Sequence, residues 1–329
     1  MIDVMLLGTG AMVPLPDRWL SSAMIRSGGS LTLLDCGEGT QIAMRERHWG
    51  FRKLDAICLS HLHADHVAGV PGLLHTVANA GKTTPLTIYG PAGTIEVVTG
   101  LRTIVRALPY DLVVRELGSG DEVDGPGKLR IRVAEGEHRV DVIAYRFDLP
   151  RAPRFDRDRA RALDLPVNAW SVLQRGERVE IDGQMIEPSM VLGEERAGLS
   201  LGFVTDTRPT EELRRLVLGV DLLIAEGTYG DDADIDKAIT HGHMTFRESA
   251  NLAARADVGH LWLTHFSASM ERPEDWRENA TSEFSNVTIG RAGLCGRLNF
   301  DEGYREIPAD ENAIGDIDQQ VQNSDALHS

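Results

Sequence analysis

The apolar run Ala56-Ile57-Cys58-Leu59 passes directly into Ser60-His61-Leu62-His63-Ala64-Asp65-His66, and this junction constrains the chain more than any other stretch. Four apolar residues bounded by a polar loop read as a buried strand. Three imidazoles and a carboxylate then follow within six residues, at the strand's end. A tight loop there can aim His61 and His63 to one side and Asp65 and His66 to the other, the arrangement two adjacent metal ions require. Imidazole with carboxylate suits zinc first, and manganese or iron less well, by ligand softness.

Two ions need more ligands than this loop offers, and three later strand ends supply them. His138 follows a strand expected over 129–135, Asp206 follows Leu201-Gly202-Phe203-Val204-Thr205, and His265 follows His260-Leu261-Trp262-Leu263-Thr264. Singly, each is ordinary: histidines after strands commonly serve as hydrogen-bonded loop residues, and an Asp before Thr-Arg-Pro commonly caps a turn. Together with the first loop they form one set, because rigid strand ends are where catalytic groups are positioned.

Elsewhere the pattern predicts strands near 2–7, 22–27 and 31–35, the last two joined by the hairpin signal Gly28-Gly29. Helices are expected over 39–48, 66–80 and 92–107, with strands at 86–90, 111–117 and 142–148. The alternation resumes with strand 200–205, helix 209–218, strand 221–225, helix 245–256 and strand 260–264, and a last helix near 273–284. Hairpins followed by alternating strands and helices suggest two mixed sheets packed face to face under helices. No fixed short repeat is present. Residues 1–307 thus read as one domain. The segment 150–199 looks like a projecting insertion, with Arg151, Arg154, Arg157, Arg159 and Arg161 close together, and 308–329 reads as an acidic, disordered tail.

These motifs resemble the metallo-β-lactamase superfamily and, within it, the ribonuclease Z family, endonucleases that remove the 3′ trailer from precursor tRNA. The resemblance spans about residues 2–300. It rests on Leu7-Gly8-Thr9-Gly10, Asp35-Cys36-Gly37-Glu38-Gly39-Thr40-Gln41, Ser60 to Leu74, Asp206-Thr207-Arg208, Glu226-Gly227-Thr228-Tyr229, His243-Met244-Thr245 and Thr264-His265-Phe266-Ser267. It implies a four-layer αββα sandwich and a homodimer. It also implies that His61, His63 and His138 hold one zinc, that Asp65, His66 and His265 hold the second, and that Asp206 bridges them. Glu226 and His243 match the family's pair near the scissile phosphate. Metal-activated hydroxide would attack the phosphodiester, Asp65 would orient the water, and His243, held by Glu226, would protonate the leaving oxygen.

Charge bears on the substrate. The formal charge of −16 shows no general basic footprint for a polyanion, and the tail from 308 supplies Asp310, Glu311, Asp316, Asp318 and Asp325 with no Lys or Arg. Pro16, Arg18 and Trp19 stand where the family carries a Lys and an Arg-Asn pair, Ser269-Met270 replaces Arg-Tyr after His265, and Pro166-Val167-Asn168 replaces Pro-Gly-Pro in the insertion. Arg154, Arg157 and Arg161, with Arg18, remain as candidate substrate contacts. Two readings follow: an endonuclease grasping precursor tRNA with a basic arm, or a small-molecule phosphodiesterase or sulfate or phosphate ester hydrolase of the same fold. A non-catalytic metal-stabilised module fits less well, since the ligand set is intact. With three well-separated cysteines, no signal peptide and no 18-residue apolar run, a soluble, cytoplasmic protein with no membrane span is expected.

Overall fold

The opening strand β1 (Ile2–Gly8) is buried along its whole length in the computed structural model, which describes residues 1–181 and 183–308. Its side chains alternate between two cores. Ile2, Val4 and Leu6 face a second sheet, whereas Met5 and Leu7 face helices, so a run apolar at nearly every position serves a strand covered on both sides. After β1 come β2 (Ser22–Ser27), β3 (Ser30–Leu34), α1 (Thr40–Glu46), β4 (Leu54–Cys58), α2 (Ala64–Val67), α3 (Val70–Asn79), β5 (Leu86–Gly90), α4 (Thr94–Leu101), β6 (Leu112–Glu116), β7 (Glu122–Asp124), β8 (Arg130–Glu135) and β9 (Ile143–Arg151). The insertion carries α5 (Arg157–Ala162), α6 (Val167–Gln174), β10 (Val179–Ile181) and β11 (Gln184–Ile186). The chain then returns through β12 (Arg196–Val204), α7 (Glu211–Leu216), β13 (Leu222–Glu226), α8 (Ile235–His241), α9 (Phe246–Arg255), β14 (Leu261–Thr264), α10 (Arg277–Thr281), β15 (Val287–Ile289), β16 (Cys295–Asn299) and β17 (Gly303–Glu306).

Among the described residues, eight strands form one sheet in the order β17-β16-β1-β2-β3-β4-β5-β6, and seven form the other in the order β15-β14-β13-β12-β9-β8-β7. Tyr145, Phe147, Phe203 and Trp262 fill the space between them. Outside the first sheet, α1 and α3 cover Leu33, Ile57 and Ile88; outside the second, α7, α9 and α10 cover Leu223, Ala225 and Leu263. The expected helix–sheet–sheet–helix layering is therefore the one observed. Each large side chain buried this way contributes roughly 1.5–3 kcal/mol.

The structure differs from the sequence reading at three places. The helix expected over 66–80 is two helices, α2 and α3, broken at Ala68-Gly69, with Pro71 in the first turn of α3. The break presses the chain onto the Asp35–Gly39 turn: a Cβ on Gly69 would lie 2.0 Å from the Gly37 carbonyl oxygen, and one on Gly37 2.1 Å from that of Asp65. The helices expected over 92–107 and 273–284 are shortened to α4 and α10. Strands β15, β16 and β17 had no sequence signal, being short and set by their partners, as β16 is by antiparallel pairing to β1. The insertion has its own small core of Ala160, Leu165, Leu173, Ile186 and Val191. The predicted acidic tail lies outside the described residues apart from Pro308.

His260, just before β14, stacks on Tyr304 at 4.3 Å and meets Thr288 Oγ1 at 2.8 Å through Nε2. Burial pushes its pKa down to about 4. The native state therefore resists a proton that the unfolded chain accepts near pH 6.5, and this contribution to stability, complete above that pH, is lost as pH falls toward 4. Denaturant titrations of metal-free protein should show a flatter stability–pH curve between those limits for His260→Gln than for the parent.

Candidate metal centre

The loop after β4 is anchored across the gap between the sheets, because Ile143 N–H donates to Ser60 O at 2.9 Å and the Tyr145 hydroxyl to Leu59 O at 2.7 Å. His61 and His63 follow the strand, His63 with extended backbone, and α2 begins at Ala64, so Asp65 and His66 sit on a helical turn. The change of backbone from extended to helical is what aims the two pairs differently. His138 comes from the β8–β9 loop, Asp206 from the end of β12, Glu226 from the last position of β13, His265 from the end of β14, and His243 from the connection between α8 and α9. The parallel strands β4, β12, β13 and β14 all deliver their residues at carboxyl ends, the usual place for a site in such sheets.

Backbone geometry makes this convergence possible at some cost. Asp35, Asp206 and His265 each leave a strand with φ of 56°, 52° and 58°. A left-handed conformation costs a non-glycine residue roughly 1–2 kcal/mol. Each such residue turns out of its sheet at once.

The donor atoms of His61, His63 and His138 lie within 4.8 Å of one another, as do those of Asp65, His66 and His265, and those of His61, His66 and Asp206. Asp206 Oδ2 is 3.3 Å from His66 Nε2 and 3.2 Å from His265 Nε2, and its Oδ1 is 3.8 Å from His61 Nε2. His61 Nε2 and His63 Nδ1 face each other at 2.9 Å. All seven residues predicted as ligands thus meet, with Asp206 between the two trios. Burial would raise its carboxyl pKa, but the imidazoles of His265, His66 and His61 hold it well below the ordinary range. Burial also pushes the His61 imidazole well below its usual value.

Whether these residues fit a metal can be judged from their other contacts. His66 Nδ1 bonds Asp35 Oδ2 at 2.8 Å, His138 Nδ1 donates to Gly242 O at 2.9 Å, and His265 Nδ1 meets Thr228 Oγ1 at 3.1 Å. In each ring the remaining nitrogen, Nε2, is buried and makes no aligned hydrogen bond, those of His66 and His265 having only the off-line Asp206 carboxylate near them. Buried polar atoms are rarely left so. One nitrogen fixed and the other bare and convergent is how metal-ligating histidines are oriented, so the site fits divalent metal.

Sequence reasoning assigned no role to Asp35, Ser60, Thr228 or the Gly242 carbonyl. Asp35 was legible, since it follows β3 just ahead of the Gly37–Gly39 turn. It accepts from Ser60 N–H at 2.7 Å and Ser60 Oγ–H at 2.9 Å as well as from His66. Asp35→Ala should weaken metal affinity roughly 10–100-fold while the fold persists, the usual loss for an outer partner; competition against a chelator followed by elemental analysis would measure it.

Glu226 is fully buried and every contact fixes it. Oε1 accepts from Thr207 N–H at 2.7 Å; Oε2 accepts from Thr228 Oγ–H at 2.5 Å and Met244 N–H at 3.1 Å, and lies 3.1 Å from His243 Nδ1. Burial works against a charged His243, yet the Glu226 carboxylate beside it raises the imidazole above its ordinary pKa.

The arginines lie differently. Arg18 donates to the carbonyls of Met270 at 2.8 Å and Glu271 at 2.9 Å, bracing the loop after His265. Arg154 and Arg157 are exposed at the start of the insertion, and Arg161 pairs with Asp158 at 3.2 Å while two-thirds exposed.

Residues 2–98 match the family model of the anti-Pycsar protein Apyc1, and residues 165–266 that of the beta-lactamase superfamily domain. Among solved structures, the metallo-beta-lactamase fold protein YhfI from Bacillus subtilis superposes with a TM-score of 0.65 at 22% identity, covering 89% of this chain and 98% of its own. The short form of human tRNase Z does so with 0.63 at 23%, covering 91% and 99%. At those identities the likeness concerns the fold, which is that of the metallo-β-lactamases. Closer in sequence are proteins named ribonuclease Z from Clostridioides difficile, 44% identical over 92% of this chain and 100% of its own, and from Clostridium tetani, 44% identical over 91% and 99%. Matched over 92% of its length at 44% identity, the chain belongs to the ribonuclease Z family.

Proposed function

We propose that this protein is a metal-dependent endoribonuclease that removes the 3′ trailer from precursor tRNA. The observation that carries the reading is the 44% identity to proteins named ribonuclease Z across their full length. The intact donor set supports the hydrolytic chemistry. His61, His63 and His138 are proposed to hold one ion, Asp65, His66 and His265 the other, with Asp206 shared; zinc suits these donors best. Bound divalent ions would acidify an attacking water and offset charge developing on the phosphodiester. The protein's own groups do the rest. Asp65, whose Oδ2 accepts from Met12 N–H at 2.9 Å, orients the water. His243, with Nδ1 on Glu226, keeps Nε2 free to deliver a proton to the leaving oxygen. A cytoplasmic homodimer with one domain over 1–307 completes the proposal; among the described residues no helix is long and apolar enough to cross a membrane.

Purified, metal-analysed protein should cleave a precursor tRNA after its acceptor stem far faster than it cleaves bis-p-nitrophenyl phosphate. Preference for the small diester would instead favour a small-molecule phosphodiesterase. Elemental analysis should find about two zinc ions per chain by the ligand count, and light scattering a mass of two chains.

The insertion is proposed to grasp the RNA. Surface ion pairs such as Arg161 with Asp158 are worth about 0–1 kcal/mol, so phosphate can displace the partner at little cost. Converting Arg154, Arg157 and Arg161 together to Ala is expected to raise KM for precursor tRNA and flatten its dependence on salt, because fewer counterions are released. Turnover of the small diester should not change. An unchanged KM and salt slope would mark this face as merely solvated.

A further inference from the structure

We propose that Arg208 is a positioning residue for His243, and that one guanidinium fixes where the proton donor stands. This inference rests on the proposed role of His243 at the leaving oxygen. His243 has no strand beneath it. It lies in the short connection between the end of α8 and Thr245, the cap of α9, and Gly242 before it has a φ of 72°. The amides on either side are tied, His243 N–H to Ala238 O at 2.9 Å and Met244 N–H to Glu226 Oε2 at 3.1 Å, which leaves the His243 carbonyl to be held.

Arg208 closes it from two sides. Its Nη1 donates to the backbone carbonyl of His243, and the same guanidinium forms a two-pronged pair with Glu248, including Nη1 to Oε2 at 2.9 Å. Glu248 is already tied to the beginning of α9, because Oε2 accepts from Thr245 N–H at 3.0 Å while Thr245 Oγ1 accepts from Glu248 N–H at 3.2 Å. The forked pair therefore joins the His243 carbonyl to the first turn of the next helix. Planar, bidentate recognition of this kind is specific to arginine, and lysine cannot reproduce it.

The backbone of Arg208 carries the restraint back to the metal ligands. Its N–H donates to Glu137 O at 2.9 Å, and Glu137 N–H donates to Thr207 Oγ1 at 2.7 Å. His138 follows Glu137 and donates to Gly242 O, while Thr207 N–H donates to Glu226, the carboxylate that meets His243. The result is a closed circuit through the Asp206 loop, the His138 loop and the His243 connection. The Arg208 side chain is only 15% exposed, so its part is to hold other residues and not to meet the RNA.

The test is a double-mutant comparison on full-length protein. Arg208→Ala is expected to lower kcat on precursor tRNA roughly 10- to 100-fold, the scale of a group displaced by about an ångström, with KM and metal content unchanged and a smaller loss on bis-p-nitrophenyl phosphate. In a His243→Ala background the same change should cost little more, since residues acting as one unit are not additive. Added guanidinium should restore part of the turnover of Arg208→Ala. Should that variant fail to fold, Arg208→Lys and Glu248→Gln are compared in the same two backgrounds. A full loss that persists without His243, or one that tracks lost metal, would overturn the role of Arg208. If His243→Ala alone had no effect, the role of His243 itself would fall, a separate and distinguishable outcome.

Discussion

Asp206→Ala is expected to empty the centre of metal and reduce precursor tRNA cleavage about a thousandfold or more, several kcal/mol of lost transition-state stabilisation. Asp206 is the carboxylate placed between both trios, with Oδ2 3.3 Å from His66 Nε2 and 3.2 Å from His265 Nε2, and Oδ1 toward His61. Alanine leaves five buried or half-buried imidazoles converging with Asp65 as the sole remaining anion among the seven proposed ligands. Both ions should then bind more weakly in parallel, which elemental analysis after gel filtration can show. Loss of one ion with full retention of the other would refute a shared bridge. Asp206→Asn is the control for backbone effects, because asparagine tolerates the φ of 52° at this position far better than alanine does.

The second large effect concerns His243. His243→Ala should retain full metal content but slow precursor tRNA cleavage roughly a hundredfold or more, within the range for one general acid. Its Nδ1 is 3.1 Å from Glu226 Oε2, so the other ring nitrogen is free to hold a proton. The loss should shrink on a p-nitrophenyl ester, whose leaving group departs without protonation. Equal losses on both substrates would point to ground-state phosphate binding instead. Glu226→Gln should follow the same pattern more weakly, since a neutral partner no longer raises the His243 pKa.

Local chemistry determined much of this from the sequence alone. The paired histidines and Asp65 were visible because a buried strand followed by a His-rich loop requires only neighbouring residues, and His138, Asp206 and His265 because each follows an apolar run long enough to be recognised as a strand. The layered fold followed from hairpins succeeded by alternating strands and helices, and from runs such as Leu222–Ala225, whose unbroken apolarity demands cover on both faces. Tertiary structure decided what depends on distant partners. Asp35 orients His66 across 31 residues, and Glu226 meets Thr207 and Met244 at separations of 19 and 18. Arg18 resembled a phosphate contact in sequence, yet its donors reach carbonyls more than 250 residues away. A charged side chain's role is set by whichever acceptor packing brings within about 3 Å, and no local pattern encodes that. The short strands β15 to β17 follow the same rule: the open edges of β14 and β1 template β15 and β16, and β16 in turn pairs β17.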